Sequence, residues 1–120
     1  MSKIKNTLGF YKPIEAIDTC ICMGASIGMA NGIAKLHNGP VLAIIGVSTF
    51  FHTCIPGLVD AVYNQNDVLV IIVDNSATAM TGFQPHPGTG TKITGEPGSI
   101  RFNDNIKSSF FFNSYLLMPK

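Results

Sequence analysis

The 120-residue sequence has no tryptophan, only three cysteines and little charge: 12% of its residues are Asp, Glu, Lys or Arg, and the formal net charge is +1. So few and so balanced charges leave no electrostatic footprint for nucleic acid or an anionic lipid surface, and neither is expected as a partner. Long hydrophobic runs are missing as well. The longest, VLAII and VLVIIV, fall far short of the ~20 residues that span a bilayer and are β-branched as strands are. Lys3 and Lys5 open the chain, but Asn6, Thr7, Lys12 and Pro13 interrupt what would have to be a signal-peptide core; the chain reads as cytoplasmic. Cys20, Cys22 and Cys54 are odd in number and lack C-x-x-C spacing. That excludes a disulfide scaffold or zinc site and predicts small buried residues.

What is present is an alternation of helix and strand signals. In MGASIGMANGIAKLHNGP, Met29, Ile33 and Leu36 recur at helical spacing and Asn38-Gly39-Pro40 forms a stop, predicting a helix that ends on a glycine cap. PVLAIIG follows as a strand apolar on both faces, the pattern of a parallel sheet. A second helix is predicted from about Thr53, with Pro56 in its first turn and a stripe of Ile55, Leu58, Val59 and Val62. DVLVIIVDN then supplies another buried strand. Strand, helix and strand at this spacing form a crossover unit, so the fold class is α/β, a parallel sheet with flanking helices. Residues 76–98 read as a long Gly/Pro loop, and from Ser99 the sequence is rich in Asn, Ser and Phe without clear periodicity.

Ligands of open α/β sheets sit beyond the carboxyl ends of the strands, here Gly46-Val47-Ser48 and Asp74-Asn75. Gly46 followed by Ser48 and Thr49 offers backbone N–H and hydroxyl donors beside a helix start, either a phosphate cradle or merely a sharp strand exit. Asn75 and a nearby main-chain carbonyl are oxygen donors of the kind Mg²⁺ accepts together with phosphates and water. Asp74 is expected to point to the opposite face of its strand. His37 falls in a last helical turn, where a cap role is expected; His52 and His86 either face substrate or are structural.

The phrases DTCICMGASIGMANG, STFFHT, GLVDAVYN and DNSATAMTGFQPHPGTG resemble the thiamine-diphosphate-binding domain of the large subunit of indolepyruvate ferredoxin oxidoreductases. The resemblance runs from about Thr7 to Pro97. It implies a partial thiamine-diphosphate-binding domain over residues 1–98 and a divergent tail over 99–120. It further implies that Gly46, Val47, Ser48 and Thr49 form the diphosphate turn, that Asn75 and the carbonyl of Ala77 hold Mg²⁺, and that Met23 and Gly24 lie near the cofactor. Met80 either supports the cofactor or packs. The family carries Asp where this chain has Val47, and an alkyl group cannot coordinate a hard cation. By family the activity is oxidative decarboxylation of a 2-oxo (arylpyruvate) acid to an acyl-CoA, with coenzyme A and ferredoxin as partners. A glutamate that activates the cofactor comes from a separate pyrimidine-binding domain, which Glu15 and Glu96 do not match. The iron–sulfur parts must likewise come from elsewhere in the enzyme or from a second subunit, because no cluster-binding cysteine set is present. The isolated chain is therefore expected to be inactive. A non-catalytic α/β remnant or interaction module is the competing reading.

Overall fold

The computed structural model describes residues 11–101, so the tail beyond Arg101 and the start of the resemblance lie outside the described residues. Helix α1 spans Ala25–Ala34, strand β1 spans Val41–Gly46 and strand β2 spans Val68–Val73. The two strands pair in parallel, from Val41 opposite Val68 to Gly46 opposite Val73. Between them runs one continuous helix, α2, residues 47–63: an α-helical turn Val47–Thr49, a π-helical stretch Phe50–Cys54 and the α-helix Ile55–Tyr63. A parallel pair needs such a crossover, because a tight turn cannot return the chain to the same strand direction.

The α/β expectation holds. One face of the sheet, carrying Ala43, Ile45, Val70 and Ile72, is buried with Ile27 of α1 and Phe50 and Leu58 of α2. Each large side chain so buried contributes roughly 1.5–3 kcal/mol through the apolar surface withdrawn from water.

The helix stripes differ from those predicted. On α1 the buried face is Ile27, Ala30 and Asn31, whereas Leu36 is 92% exposed and Ile33 is also exposed. Asn31 hides this face from a hydropathy reading, because its side-chain amide donates to Gly57 O at 2.8 Å and to Asp60 Oδ2 at 2.9 Å across to α2. Those bonds make burial of a polar side chain tolerable. The helix also stops at Ala34, short of the Asn-Gly-Pro signal, with the N–H of His37 on Ile33 O at 2.9 Å; His37 itself is exposed. On α2 the buried positions are Val47, Phe50, Cys54, Leu58 and Ala61, while Ile55 and Val59 are exposed. The helix starts at Val47, six residues before the predicted start near Thr53, because the strand passes into helix with no intervening loop.

Residues 76–98 are more ordered than a structureless loop. A 3₁₀ turn spans Ala79–Thr81, and β3 (Thr89–Thr91) pairs antiparallel with β4 (Pro97–Arg101). The boundary expected at Ser99 falls inside β4. The connection closes through Lys92 N–H to Glu96 O at 2.8 Å and Gly95 N–H to Lys92 O at 3.0 Å. Cys54 is buried as expected, but Cys20 and Cys22 are exposed, since they lie in the irregular segment ahead of α1. No helix among the described residues is long and apolar enough to cross a membrane.

Candidate functional site

The parallel register brings Gly46 level with Val73, so the residues that follow each strand leave the sheet side by side. The first exit is rigid. Gly46 keeps extended backbone (φ −77°, ψ 145°) and the next residue is already helical. Val47 points inward and is 1% exposed, part of the same apolar core as Phe50 and Ile72. The second exit is solvated: Asp74, Asn75 and Ser76 are all exposed. Side-chain oxygens shape it, with Ser76 N–H donating to Asp74 Oδ1 at 2.7 Å and Ala77 N–H to Asn75 Oδ1 at 3.4 Å. Asx turns of this type let a chain change direction without regular secondary structure.

One contact ties the exits together. The hydroxyls of Ser48 and Thr78 lie 2.8 Å apart. Thr78 in turn anchors its loop, donating its N–H to Gln84 O at 2.9 Å and accepting Phe83 N–H at 3.1 Å. Sequence reasoning passed over Thr78; only its place in the loop phrase, two residues after Ser76, marked it.

A cleft of about 800 Å³ opens beside β1, and Met23, Gly24, Gly46 and Thr49 all line it, together with Cys20 and Cys22. Gly24 is required there on two counts. Its φ is +91°, a region that L side chains avoid, and an added Cβ would overlap Thr53 Oγ1. The Gly24 carbonyl accepts the thiol of Cys54 at 3.3 Å, which fixes the entry to α1 against α2. Burial pushes the Cys54 thiol above its ordinary pKa, partly offset by the Thr53 hydroxyl, so this sulfur is a packing group and a weak donor. Asn75, Ala77 and Met80 stand outside the cleft lining; Met80 is exposed on the 3₁₀ turn. The candidate residues thus fall into two groups, with Ser48 and Thr78 as the link.

The donors suit an anion better than a bare cation. Ser48, Thr49 and Thr78 carry hydroxyls, and the first N–H groups of α2 start at Val47 with no side-chain cap, as oxyanions require. For a divalent ion, Asn75 Oδ1 and the Ala77 carbonyl are oxygen donors of the right hardness, Val47 supplies none, and no group of three His, Cys, Asp or Glu that could hold a metal ion occurs among the described residues. Such a pair fits Mg²⁺ only together with phosphate and water oxygens.

Of the three histidines, His52 and His37 are exposed and His86 is 4% exposed. His86 stacks on Phe51 of α2, with ring centroids 5.9 Å apart. Burial pushes it below the ordinary imidazole pKa, with the Asp74 carboxylate opposing and His52 adding to the shift.

Residues 2–110 match the family model described as thiamine pyrophosphate enzyme, C-terminal TPP binding domain. The chain is 52% identical over 102 residues to indolepyruvate oxidoreductase subunit IorA of Archaeoglobus fulgidus, covering 84% of this chain and 16% of that protein. It is 46% identical over 98 residues to the subunit of the same name from Pyrococcus horikoshii, covering 70% of this chain and 15% of the relative. The Thermococcus kodakarensis subunit is 40% identical over 116 residues, 85% of this chain and 18% of the relative. The chain thus spans less than a fifth of the length of these curated relatives. No solved structure matches it.

Proposed function

Because the chain belongs to the family of thiamine pyrophosphate enzyme C-terminal TPP-binding domains, we propose that it forms the diphosphate-holding part of a 2-oxo acid:ferredoxin oxidoreductase acting on arylpyruvates. The observation that carries this reading is the Ser48–Thr78 contact at 2.8 Å, which holds two strand exits together beside a cleft lined by Met23, Gly24, Gly46 and Thr49. In this reading the backbone and hydroxyls of Gly46, Ser48 and Thr49 hold the diphosphate. Met23 and Gly24 border the cofactor from the other side of the cleft, and Met80 supports it. Asn75 and the Ala77 carbonyl hold Mg²⁺ together with phosphate oxygens. Thiamine diphosphate, when bound, supplies the carbanion chemistry of decarboxylation; the chain's own residues bind and orient it.

The pyrimidine-binding and iron–sulfur parts, coenzyme A and ferredoxin complete the reaction from outside these residues. Dye reduction with indolepyruvate, coenzyme A and thiamine diphosphate is therefore expected to show no turnover by the chain alone. A second reading, an α/β shell without cofactor, draws on one observation: Val47 is buried in the core at the position where the resemblance implies an aspartate ligand. Calorimetric titration with thiamine diphosphate, with Mg²⁺ and with chelator, separates the two. Saturable binding that weakens on chelation supports the first reading, and no heat under either condition overturns it.

A further inference from the structure

His86 belongs to none of the groups assigned above, yet it is the histidine most completely enclosed by the fold. Its Nδ1 accepts the Gly88 N–H at 3.1 Å, so the ring is neutral there and its proton sits on Nε2. Its own carbonyl accepts Thr89 N–H at 2.9 Å and Thr89 Oγ1 at 2.8 Å. The segment Pro85–Thr89 is thus a tight turn wound round one imidazole. That turn is pressed on α2: an added Cβ at Gly88 would overlap the Phe51 ring, the same ring on which His86 stacks. Ser48, which meets Thr78, lies one helical turn before Phe51, so both attachments fall on one side of α2.

We infer that His86 is a positioning residue: its ring, seated on Phe51 and bonded to Gly88, docks the loop 76–89 on α2 and so keeps Thr78 against Ser48 beside the strand exits. The link to cofactor binding rests on the function proposed above; the docking does not. Besides His86, the Ser48–Thr78 hydroxyl contact and the close approach of Gly88 to the Phe51 ring join the loop to that face. Among the described residues Nε2 has no hydrogen-bond partner, a buried N–H that costs stability, and the polar contact of the ring is the one through Nδ1. The charged and titratable groups around it are Asp74 after β2, His52 on α2 and Lys92, which shares with His86 the lining of a cavity of about 280 Å³.

The test uses the full chain labelled with nitrogen-15. Imidazole nitrogen shifts at pH 7 are expected to report an unprotonated Nδ1 on His86, and amide exchange is read at Thr78 and Thr89 in the loop and at Ile72 in β2. In His86→Ala, loop exchange is expected to rise roughly tenfold or more, from loss of a hydrogen bond and a ring contact, while Ile72 is unchanged. His86→Asn places an amide oxygen where Nδ1 stands and His86→Phe keeps the ring; each is expected to restore part of the protection. Thiamine diphosphate affinity should fall in the same order as protection. A protonated Nδ1, unchanged Thr78 exchange in His86→Ala, or equal rises at Thr78 and Ile72 would each overturn the inference. If the wild-type chain binds no cofactor, the proposed function fails while the exchange data still decide the docking. If the loop opens and affinity does not change, docking stands and its role in positioning the site is refuted.

Discussion

The two strand exits lie side by side and are built from opposite materials. After β1 the chain turns straight into helix, and Val47 is locked into the core. After β2 it runs through exposed Asp74, Asn75 and Ser76, held by side-chain oxygens bonded to backbone N–H groups. Burial fixes the first exit and hydrogen bonding in water shapes the second. A ligand held between them would meet one wall that cannot adapt and one that can. The same substitution therefore has different consequences on the two sides.

The sharpest test puts a carboxylate at each exit. Val47→Asp buries an unpaired charge in an apolar cluster and is expected to cost about 3 kcal/mol or more, lowering the thermal midpoint measured by circular dichroism. Asn75→Asp places the same group in solvent and is expected to change stability by less than about 0.5 kcal/mol. Equal effects would break the contrast. Recovery of the Val47→Asp midpoint on adding Mg²⁺ with thiamine diphosphate would show that the first exit can turn its side chain outward to a ligand.

The rigidity of the first exit depends on how α2 is braced by α1. Asn31→Ala removes two part-buried hydrogen bonds, to the Gly57 carbonyl and to the Asp60 carboxylate, an expected loss of about 1–3 kcal/mol. Chemical denaturation measures it. A loss below about 0.5 kcal/mol would mean that apolar contact alone sets the helix pair.

Asn31 also shows what was legible in the sequence. The apolar runs at residues 41–45 and 68–73 revealed the strands because both faces of a parallel sheet are apolar, and the crossover followed from their spacing. Helix faces were misread where a polar residue is buried by its hydrogen bonds, as Asn31 is, and where the exposed Ile33 and Leu36 carry the apolar rhythm instead. Glycine at 24 and the loop phrase around His86 were visible as motifs. Neither the left-handed backbone of the one nor the burial of the other is encoded locally. Thr78 could not be paired with Ser48 from sequence, because 30 positions separate them and only the register joins them.

The loop wall is expected to be the acid-sensitive one. His86 has a lowered pKa in the fold, against about 6.5 when unfolded. Between those values the unfolded chain binds more protons, so stability rises with pH across that window. It is level above about 6.5 and falls as pH drops below it, by at most about 1.4 kcal/mol per pH unit for one proton. Unfolding free energies from pH 8 to 5 should lose part of this slope in His86→Phe. A slope identical in both proteins would assign the acid sensitivity to other groups.

The smallest expected effect bears on the contact that joins the two walls. Removing either hydroxyl, in Ser48→Ala or in a Thr78→Val variant, deletes one partly buried hydrogen bond of 2.8 Å, worth about 0.5–1.5 kcal/mol net because water competes for both groups. The single variants also change local packing, so the pairwise share comes from the double-mutant cycle, with an expected coupling of about 0.5–1 kcal/mol. Repeating the cycle on thiamine diphosphate affinity distinguishes two uses of the contact. If the hydroxyls only fasten the loop, the coupling in binding should match that in stability and vanish in variants whose loop is already undocked, such as His86→Ala. If the Ser48 hydroxyl also donates to the diphosphate, Ser48→Ala should weaken binding more than Thr78→Val at equal stability. Zero coupling in both measurements would separate the rigid wall from the adaptable one and leave each strand exit to act on its own.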